Sequence, residues 1–128
     1  MTYIETSVVL AQLLAEDRCP PESLWVETLV SSRLTEYEVW TRINGRGLTS
    51  SHGDAVRLLL ARLRWLELTT IVLARALDPW PVRLRTLDAL HLASIEFLRA
   101  HGQAVRLASY DERVIGVARR LSIPLFSL

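Results

Sequence analysis

The chain contains no lysine: its 15 basic Lys or Arg residues are all arginines, spread from Arg18 to Arg120. This absence excludes a Walker-type phosphate loop, which needs a lysine on the β- and γ-phosphates, and Schiff-base enzymes, which need a lysine amine. It also argues against receiver-like and phosphatase-like α/β domains, because these place a lysine beside the phosphoryl group. Both of these classes bind Mg²⁺ through clustered acidic residues, so acids in this chain do not by themselves indicate either class.

Cysteine is also scarce, since Cys19 is the only one. A single cysteine forms neither an internal disulfide nor a multi-cysteine zinc site. Apolar runs are short because charges interrupt them, as at 57–62, whereas a bilayer span needs about 20 apolar residues. The first five residues lack the basic start and small-residue cleavage site of a secretory signal. The sequence predicts a cytoplasmic protein with no membrane segment.

The net charge has no strong sign, because 15 basic and 14 acidic residues leave a formal +1. A strongly basic nucleic-acid binder would carry a clear positive excess, so the composition alone indicates no partner. The chain has 128 residues, half of them hydrophobic. This length and composition predict one compact domain over residues 1–128.

Short β-like runs alternate with longer helix-like segments along the chain. Strands are predicted at 3–4, 29–31, 66–70 and 105–108, and a final extended run at 123–126 is placed at a sheet edge by its proline. Helices are predicted at 8–15, 34–43, 51–65, 71–77, 86–100 and 110–121. This alternation predicts right-handed crossovers and an α/β fold, with a central, mainly parallel sheet in a three-layer α/β/α sandwich.

Acidic residues lie near the ends of the predicted strands, where open parallel sheets bind their ligands. Glu5 directly follows the first strand, Glu38 lies in the helix behind the second, and Asp111 follows the later strand. Asp88 lies in the first turn of the helix that begins at Thr86. The other residues on its side of the helix are apolar or small. A parallel sheet would gather the four acids around one cleft.

Most of these acids also have a structural interpretation. Asp88 and Asp111 lie at helix N-termini, where a carboxylate gains roughly 0.3–1 kcal/mol from the helix dipole, and Asp111 can cap its helix. Glu38 follows Thr35 at the spacing of a capping box, provided that the helix starts at Thr35. For Glu5 the structural interpretation is weaker, because glutamate is a poor β-former beside the expected core.

Four carboxylates in one cleft would repel one another. At a separation of ~6 Å and an effective dielectric constant of ~20, each like-charged pair costs on the order of 3 kcal/mol. Such a cleft should therefore hold a proton or a cation. Mg²⁺ and Mn²⁺ take oxygen ligands and also bind the phosphate oxygens of a substrate. The acids thus favour phosphodiester chemistry.

Four motifs resemble those of the PIN-domain ribonucleases, and within them the VapC-type toxins of bacterial toxin–antitoxin pairs. They are YIETSVVL at 3–10, SRLTEYEV at 32–39, LDALHLA at 87–93 and ASYDER at 108–113, so the resemblance covers nearly the whole chain. The third motif is the most specific. The sequence departs from the family at its first acid, which is usually aspartate. Glu5 carries its carboxylate ~1.5 Å further out, a large distance beside Mg–O bonds of ~2.0–2.1 Å.

The resemblance implies a metal-dependent endoribonuclease, in which Mg²⁺ or Mn²⁺ activates water for attack on an RNA phosphodiester. The implied catalytic residues are Glu5, Glu38, Asp88 and Asp111, of which Glu5, Asp88 and Asp111 are the metal ligands, supported by Ser109 and Thr6. It also implies a homodimer and a small antitoxin protein that covers the cleft. The alternative, motivated by Glu5, is a PIN-like RNA-binding or scaffold module with weakened or lost catalysis.

Two arginines near the acids are candidates for contact with RNA phosphate, with a solvated or ion-paired side chain as the alternative. Arg42 lies one turn beyond Glu38, and Arg85 immediately precedes the helix of Asp88. His91, amid apolar neighbours, is interpreted as structural. If the four clustered acids are set aside, ten acids face fifteen arginines elsewhere, a surplus of five positive charges. This surplus favours an RNA-binding rim.

Overall fold

The computed structural model describes all 128 residues, and its backbone alternates strands and helices. The strands are β1 (Thr2–Ile4), β2 (Leu29–Ser32), β3 (Arg64–Leu66) and β4 (Arg106–Ala108). The helices are α1 (Thr6–Leu14), α2 (Arg33–Gly45), α3 (Thr49–Leu60), α4 (Thr70–Leu77), α5 (Thr86–Ala100) and α6 (Glu112–Arg120). A short 3₁₀ helix at Glu22–Val26, which the sequence analysis does not predict, precedes β2.

The four strands form one sheet in the order β3-β2-β1-β4, and every neighbouring pair is parallel. The central strand β1 places Tyr3 opposite Val30 of β2 and Leu107 of β4. Parallel neighbours need long crossover connections, which the helices supply. Residues 123–126 run beside β4 through a parallel bridge between Leu107 and Leu125, which confirms the predicted edge segment.

Helices cover both faces of the sheet and enclose two apolar clusters. One cluster contains Ile4 together with residues of α1, α2 and α3, and the other contains Tyr3 together with residues of α5 and α6. Tyr3 and Ile4 belong to different clusters because successive side chains of a strand lie on opposite faces. The predicted α/β/α sandwich is confirmed, and the mainly parallel sheet is parallel throughout.

The third strand and the helix before it differ from the prediction. The helix α3 ends at Leu60 rather than at residue 65, and β3 covers Arg64–Leu66 rather than 66–70. Trp65 continues the helical spacing of the apolar stripe, so the sequence pattern extends the helix too far. In the sheet, however, Trp65 pairs with Ser31, and this long-range pairing overrides the local preference.

Two expectations from the composition concern a membrane span and the single cysteine. No helix combines the length and the apolar character that are needed to cross a bilayer. Cys19 is exposed and is not part of a disulfide.

Candidate active site

A cavity of about 420 Å³ opens beside the carboxyl ends of β1, β2 and β4. All four predicted acids line it, together with both predicted RNA-contacting arginines: Glu5, Glu38, Asp88, Asp111, Arg42 and Arg85. The parallel sheet explains this convergence, because the chain leaves each strand at the same edge. The sequence prediction that one cleft gathers these side chains agrees with the geometry.

Glu5 lines this cavity and also caps the helix α1. It directly follows β1, is 7% exposed, and caps α1 by accepting the Ser7 N–H at 3.0 Å through Oε2. The hydroxyls of Ser7 and Ser109 donate to the same oxygen, Ser109 at 3.0 Å. Because all three donors use Oε2, Oε1 keeps its lone pairs for another ligand. The extra methylene of glutamate is thus accommodated by a specific hydrogen-bond shell.

Ser109 connects Glu5 to Asp111. Its hydroxyl donates to Glu5 and accepts the Asp111 N–H at 3.0 Å. Asp111 caps α6, since its Oδ1 accepts from the backbone N–H groups of Arg113 at 2.9 Å and Val114 at 3.5 Å. The capping interpretation of Asp111 is therefore correct, and its second oxygen, Oδ2, accepts from Arg85. Ser109, predicted as a supporting residue, thus contacts both Glu5 and Asp111.

Asp88 and Asp111 share one counter-ion, Arg85. Asp88 is 5% exposed and accepts from Arg85 Nε at 2.9 Å and Nη2 at 3.2 Å. The same Nη2 lies 2.9 Å from Asp111 Oδ2. The hydrogen bond to Asp88 raises the pKa of Arg85, as do the charges of both acids. Arg85, a candidate for RNA contact, therefore neutralises two of the clustered acids in this structure.

Glu38 contacts two buried side chains, Thr6 and His91. Its Oε1 accepts the Thr6 hydroxyl at 2.8 Å and lies 2.6 Å from His91 Nε2. Burial works to raise the pKa of Glu38, but the hydrogen bond and the electrostatic interaction with His91, followed by the hydrogen bond from Thr6 and the charge of Arg42, outweigh it and hold the pKa below its usual value. Glu38 is therefore a carboxylate at neutral pH. Thr6, the other predicted supporting residue, thus contacts Glu38.

The capping-box alternative for Glu38 is wrong. The helix α2 begins at Arg33 rather than at Thr35, and Ser32 caps it by accepting the Leu34 N–H at 3.1 Å. Thr35 lies buried inside the helix. Glu38 consequently has no capping task, and its side chain is available to the cavity.

Sequence reasoning missed the contact that His91 makes with this site. His91 is 1% exposed, as a structural histidine would be, yet it lies against Glu38 and also 2.7 Å from the hydroxyl of Tyr3. One available signal was its spacing: His91 follows Asp88 by three residues and therefore lies on the same side of α5. Nothing in the sequence pattern pointed to Tyr3.

The donor set fits a hard divalent cation in its chemistry. Glu5, Asp88 and Asp111 offer carboxylate oxygens around one cavity, which is the ligand type that Mg²⁺ and Mn²⁺ prefer. As the side chains lie, no three acids, histidines or cysteines converge closely enough to hold an ion. Arg85 lies between Asp88 and Asp111 instead. An ion that binds both aspartates would have to displace this guanidinium.

Known proteins resemble this chain over nearly its whole length. The family model described as PIN domain matches residues 2–126. Ribonuclease VapC35 of Mycobacterium tuberculosis is 29% identical, covering 96% of this chain and 93% of the relative. Ribonuclease VapC46 of the same species is 30% identical, covering 98% and 95%. A crystal structure of VapC20 from that species, described as a sarcin-ricin loop cleaving toxin, matches with a TM-score of 0.67 and 17% identity over 91% of this chain and 94% of that one. This last likeness concerns the fold.

Proposed function

The chain belongs to the PIN-domain family, and we propose that it is an endoribonuclease that acts as the toxin of a toxin–antitoxin pair. The observation that carries the proposal is the cavity at the carboxyl edge of the sheet, which is lined by Glu5, Glu38, Asp88 and Asp111. The names of the relatives, which are VapC ribonucleases aligned over almost the full chain, support it.

We further propose Mg²⁺ or Mn²⁺ as the cofactor, with Glu5, Asp88 and Asp111 as its ligands. When bound, such an ion supplies an activated water and stabilises charge on the leaving oxygen. The chain contributes orientation: hydrogen bonds from Ser7 and Ser109 fix one oxygen of Glu5 and leave the other available.

The direct test is incubation of RNA with the purified protein and Mg²⁺ or Mn²⁺, followed by sequencing of the RNA ends. We expect new ends at defined sites, their loss on adding a chelator, and their return when the ion is restored. A protein that cuts no RNA with either ion would contradict the nuclease proposal. That result would favour the alternative of a PIN-like RNA-binding or scaffold module.

Arg85 gives a prediction about cation binding. Because its guanidinium bonds to both Asp88 and Asp111, an incoming ion competes with it for the same oxygens. Arg85→Gln removes the competing charge, and we expect Mn²⁺ affinity to rise roughly three- to fivefold, as suits a partly exposed ion pair. Calorimetric titration of the protein with Mn²⁺ in the absence of RNA measures this change.

Arg83→Gln is the matched control for Arg85→Gln. Arg83 lies two residues earlier, is exposed and forms no salt bridge, so its substitution changes the net charge equally. We expect its Mn²⁺ affinity to stay within about twofold of the wild type. Equal affinities in the two variants would show that Arg85 does not compete with the ion.

A second cavity, of about 530 Å³, adjoins the acidic one and is proposed as an RNA-binding rim. It shares Glu38 and Arg42 with the first cavity and adds Arg46 and Tyr37. Both arginines are exposed and neither forms a salt bridge, while Tyr37 is 66% exposed. Guanidinium groups bind phosphate and a tyrosine ring stacks on bases, so this surface suits a single RNA strand.

The rim gives a prediction about salt dependence. For single strands, the slope of log affinity against log salt concentration changes by about 0.7 for each phosphate contact. The double variant Arg42→Gln/Arg46→Gln should therefore have a slope about 1.4 shallower, measured by RNA titration without added metal in an Asp88→Asn background, in which cleavage is expected to be slow. Arg120→Gln at the far end of α6 is the control, with an expected change near zero. An unchanged slope in the double variant would place the RNA elsewhere.

We propose three further properties that the toxin assignment brings with it. The partner is a small antitoxin protein that covers the cleft, and the active form is a homodimer. The helix α4 offers a surface for a second copy, because Ile71, Leu73 and Leu77 are 67%, 42% and 87% exposed.

The cytoplasm is the proposed location, where RNA is available and the free Cys19 stays reduced.

A further inference from the structure

A buried hydrogen-bonded chain of three side chains connects strand β1 to the acidic cavity. Tyr3 is fully buried and His91 is 1% exposed. Tyr3 Oη lies 2.7 Å from His91 Nδ1, and His91 Nε2 lies 2.6 Å from Glu38 Oε1. The tyrosine and histidine rings meet edge to face with centroids 5.9 Å apart. This series of hydrogen bonds therefore links the buried Tyr3 to Glu38, a side chain of the proposed catalytic site.

One arrangement of protons pairs the three side chains of this network in sequence. The backbone N–H of Ser32 donates to Tyr3 Oη at 3.2 Å, and His91 Nδ1, 2.7 Å away, is in position to accept the hydroxyl proton of Tyr3. A neutral imidazole that accepts at Nδ1 carries its proton on Nε2. This N–H then donates to the carboxylate of Glu38.

The two oxygens of Glu38 are consequently not equivalent. Oε1 accepts from His91 and from the Thr6 hydroxyl, whereas Oε2 has no hydrogen-bond partner in the protein. The Glu38 side chain is 22% exposed and lines the acidic cavity. One oxygen is thus fixed by the core, and the other is left for a water molecule or the RNA.

We propose that Tyr3 and His91 are positioning residues of the nuclease: Tyr3 sets the tautomer of His91, and its Nε2–H fixes Glu38 in the cavity. The inference rests on the proposed function. Outer partners that orient a functional side chain in this way are worth about 10–100-fold in activity or metal affinity. A histidine that only fills the core would affect stability alone, so the two roles predict different measurements.

The first test is ¹⁵N NMR of the histidine rings, which needs neither RNA nor metal. In the wild type we expect His91 to be protonated at Nε2 and unprotonated at Nδ1. In Tyr3→Phe, which removes only the hydroxyl, we expect this preference to weaken or disappear. A neutral His91 ring protonated at Nδ1 in the wild type would overturn the proposal.

The second test compares His91→Gln with His91→Leu, which have similar volumes. Glutamine places an amide N–H near the position of Nε2, whereas leucine has no donor. We expect kcat to fall about 10–100-fold in His91→Leu with KM within about twofold, and to recover in part in His91→Gln. Equal losses in the two folded variants, or a change in KM alone, would contradict a positioning role.

Thermal unfolding of each variant shows whether it is folded under the assay conditions. If His91→Leu does not fold, the cleavage kinetics are measured on Tyr3→Phe instead, and we expect its kcat to fall about tenfold. Wild-type kcat in a folded Tyr3→Phe would overturn the proposal. If the wild type itself cuts no RNA, the proposed function fails, and the NMR result still decides whether Tyr3 sets the tautomer of His91.

Discussion

Replacing Asp88 by asparagine is expected to slow RNA cleavage by about 10²–10³-fold while the protein stays folded. Asparagine keeps the shape of the side chain but removes the charge from one of the three proposed ligands. Metal ions supply several kcal/mol of charge stabilisation, and each 1.36 kcal/mol corresponds to a factor of ten in rate. The measurement is the initial cleavage rate on an RNA that the wild type cuts, at a saturating Mn²⁺ concentration for each protein.

The fold should tolerate this change because the contacts of Asp88 are shared. Arg85 retains its bond to Asp111, and the neutral side chain relieves repulsion among the clustered carboxylates. Asp54→Asn is the matched control, since its fully exposed carboxylate pairs with Arg57 on the surface. Its cleavage rate should stay within about twofold of the wild type.

A second readout of Asp88→Asn is available in cells. Expression of the wild type should slow growth of the host, and expression of the variant should not. Sequencing of RNA ends after brief expression should show defined cleavage sites for the wild type only. If the variant retains more than about a tenth of the wild-type rate, or yields the same RNA ends, Asp88 has no part in the chemistry.

The place of the four acids could be predicted because it depends on topology rather than on side-chain detail. Glu5 directly follows a strand and Asp111 lies three residues beyond Ala108, so any parallel sheet brings both to its carboxyl edge. Asp88 and Glu38 are on helices that begin near the same edge. The strand positions place Glu5 and Asp111, whereas the choice of Glu38 and Asp88 also used their resemblance to the PIN-domain motifs.

The hydrogen bonds within the site could not be predicted from the sequence, because they depend on orientation. Arg85 lies three residues before Asp88, a spacing that permits contact, but its second bond to Asp111 spans 26 residues. The pair formed by Tyr3 and His91 spans 88 residues. Residue spacing along the chain carries no information on such contacts until the sheet and α5 are packed together.

The misplaced β3 shows a different limit. Trp65 fits both a helical stripe and a strand, and local patterns do not choose between them. The choice is made by β2, whose backbone groups pair with residues 64–66 in the sheet. Neither alternative moves an acid, so the error in this segment leaves the predicted site unchanged.

Leu92→Ala is expected to lower the free energy of unfolding by about 2–5 kcal/mol, the cost of emptying a packed site in a core. Leu92 is fully buried in α5, in the cluster that also contains Tyr3 and Ile95. The loss has two parts. The removed methyl groups no longer contribute their transfer free energy, and the cavity that remains costs further free energy because the surrounding structure relaxes only in part. Urea titration followed by circular dichroism measures the change through the unfolding midpoint.

Leu58→Ala makes the same chemical change on the surface and separates packing from helix propensity. Leu58 lies within α3 and is 73% exposed, so both substitutions alter helix propensity equally but only one empties a core site. We expect its unfolding free energy to stay within about 0.5 kcal/mol of the wild type. Similar losses in the two variants would mean that α5 is not packed on the sheet as described. The positions of Asp88 and His91 depend on that packing, so the same result would also undermine the geometry of the proposed site.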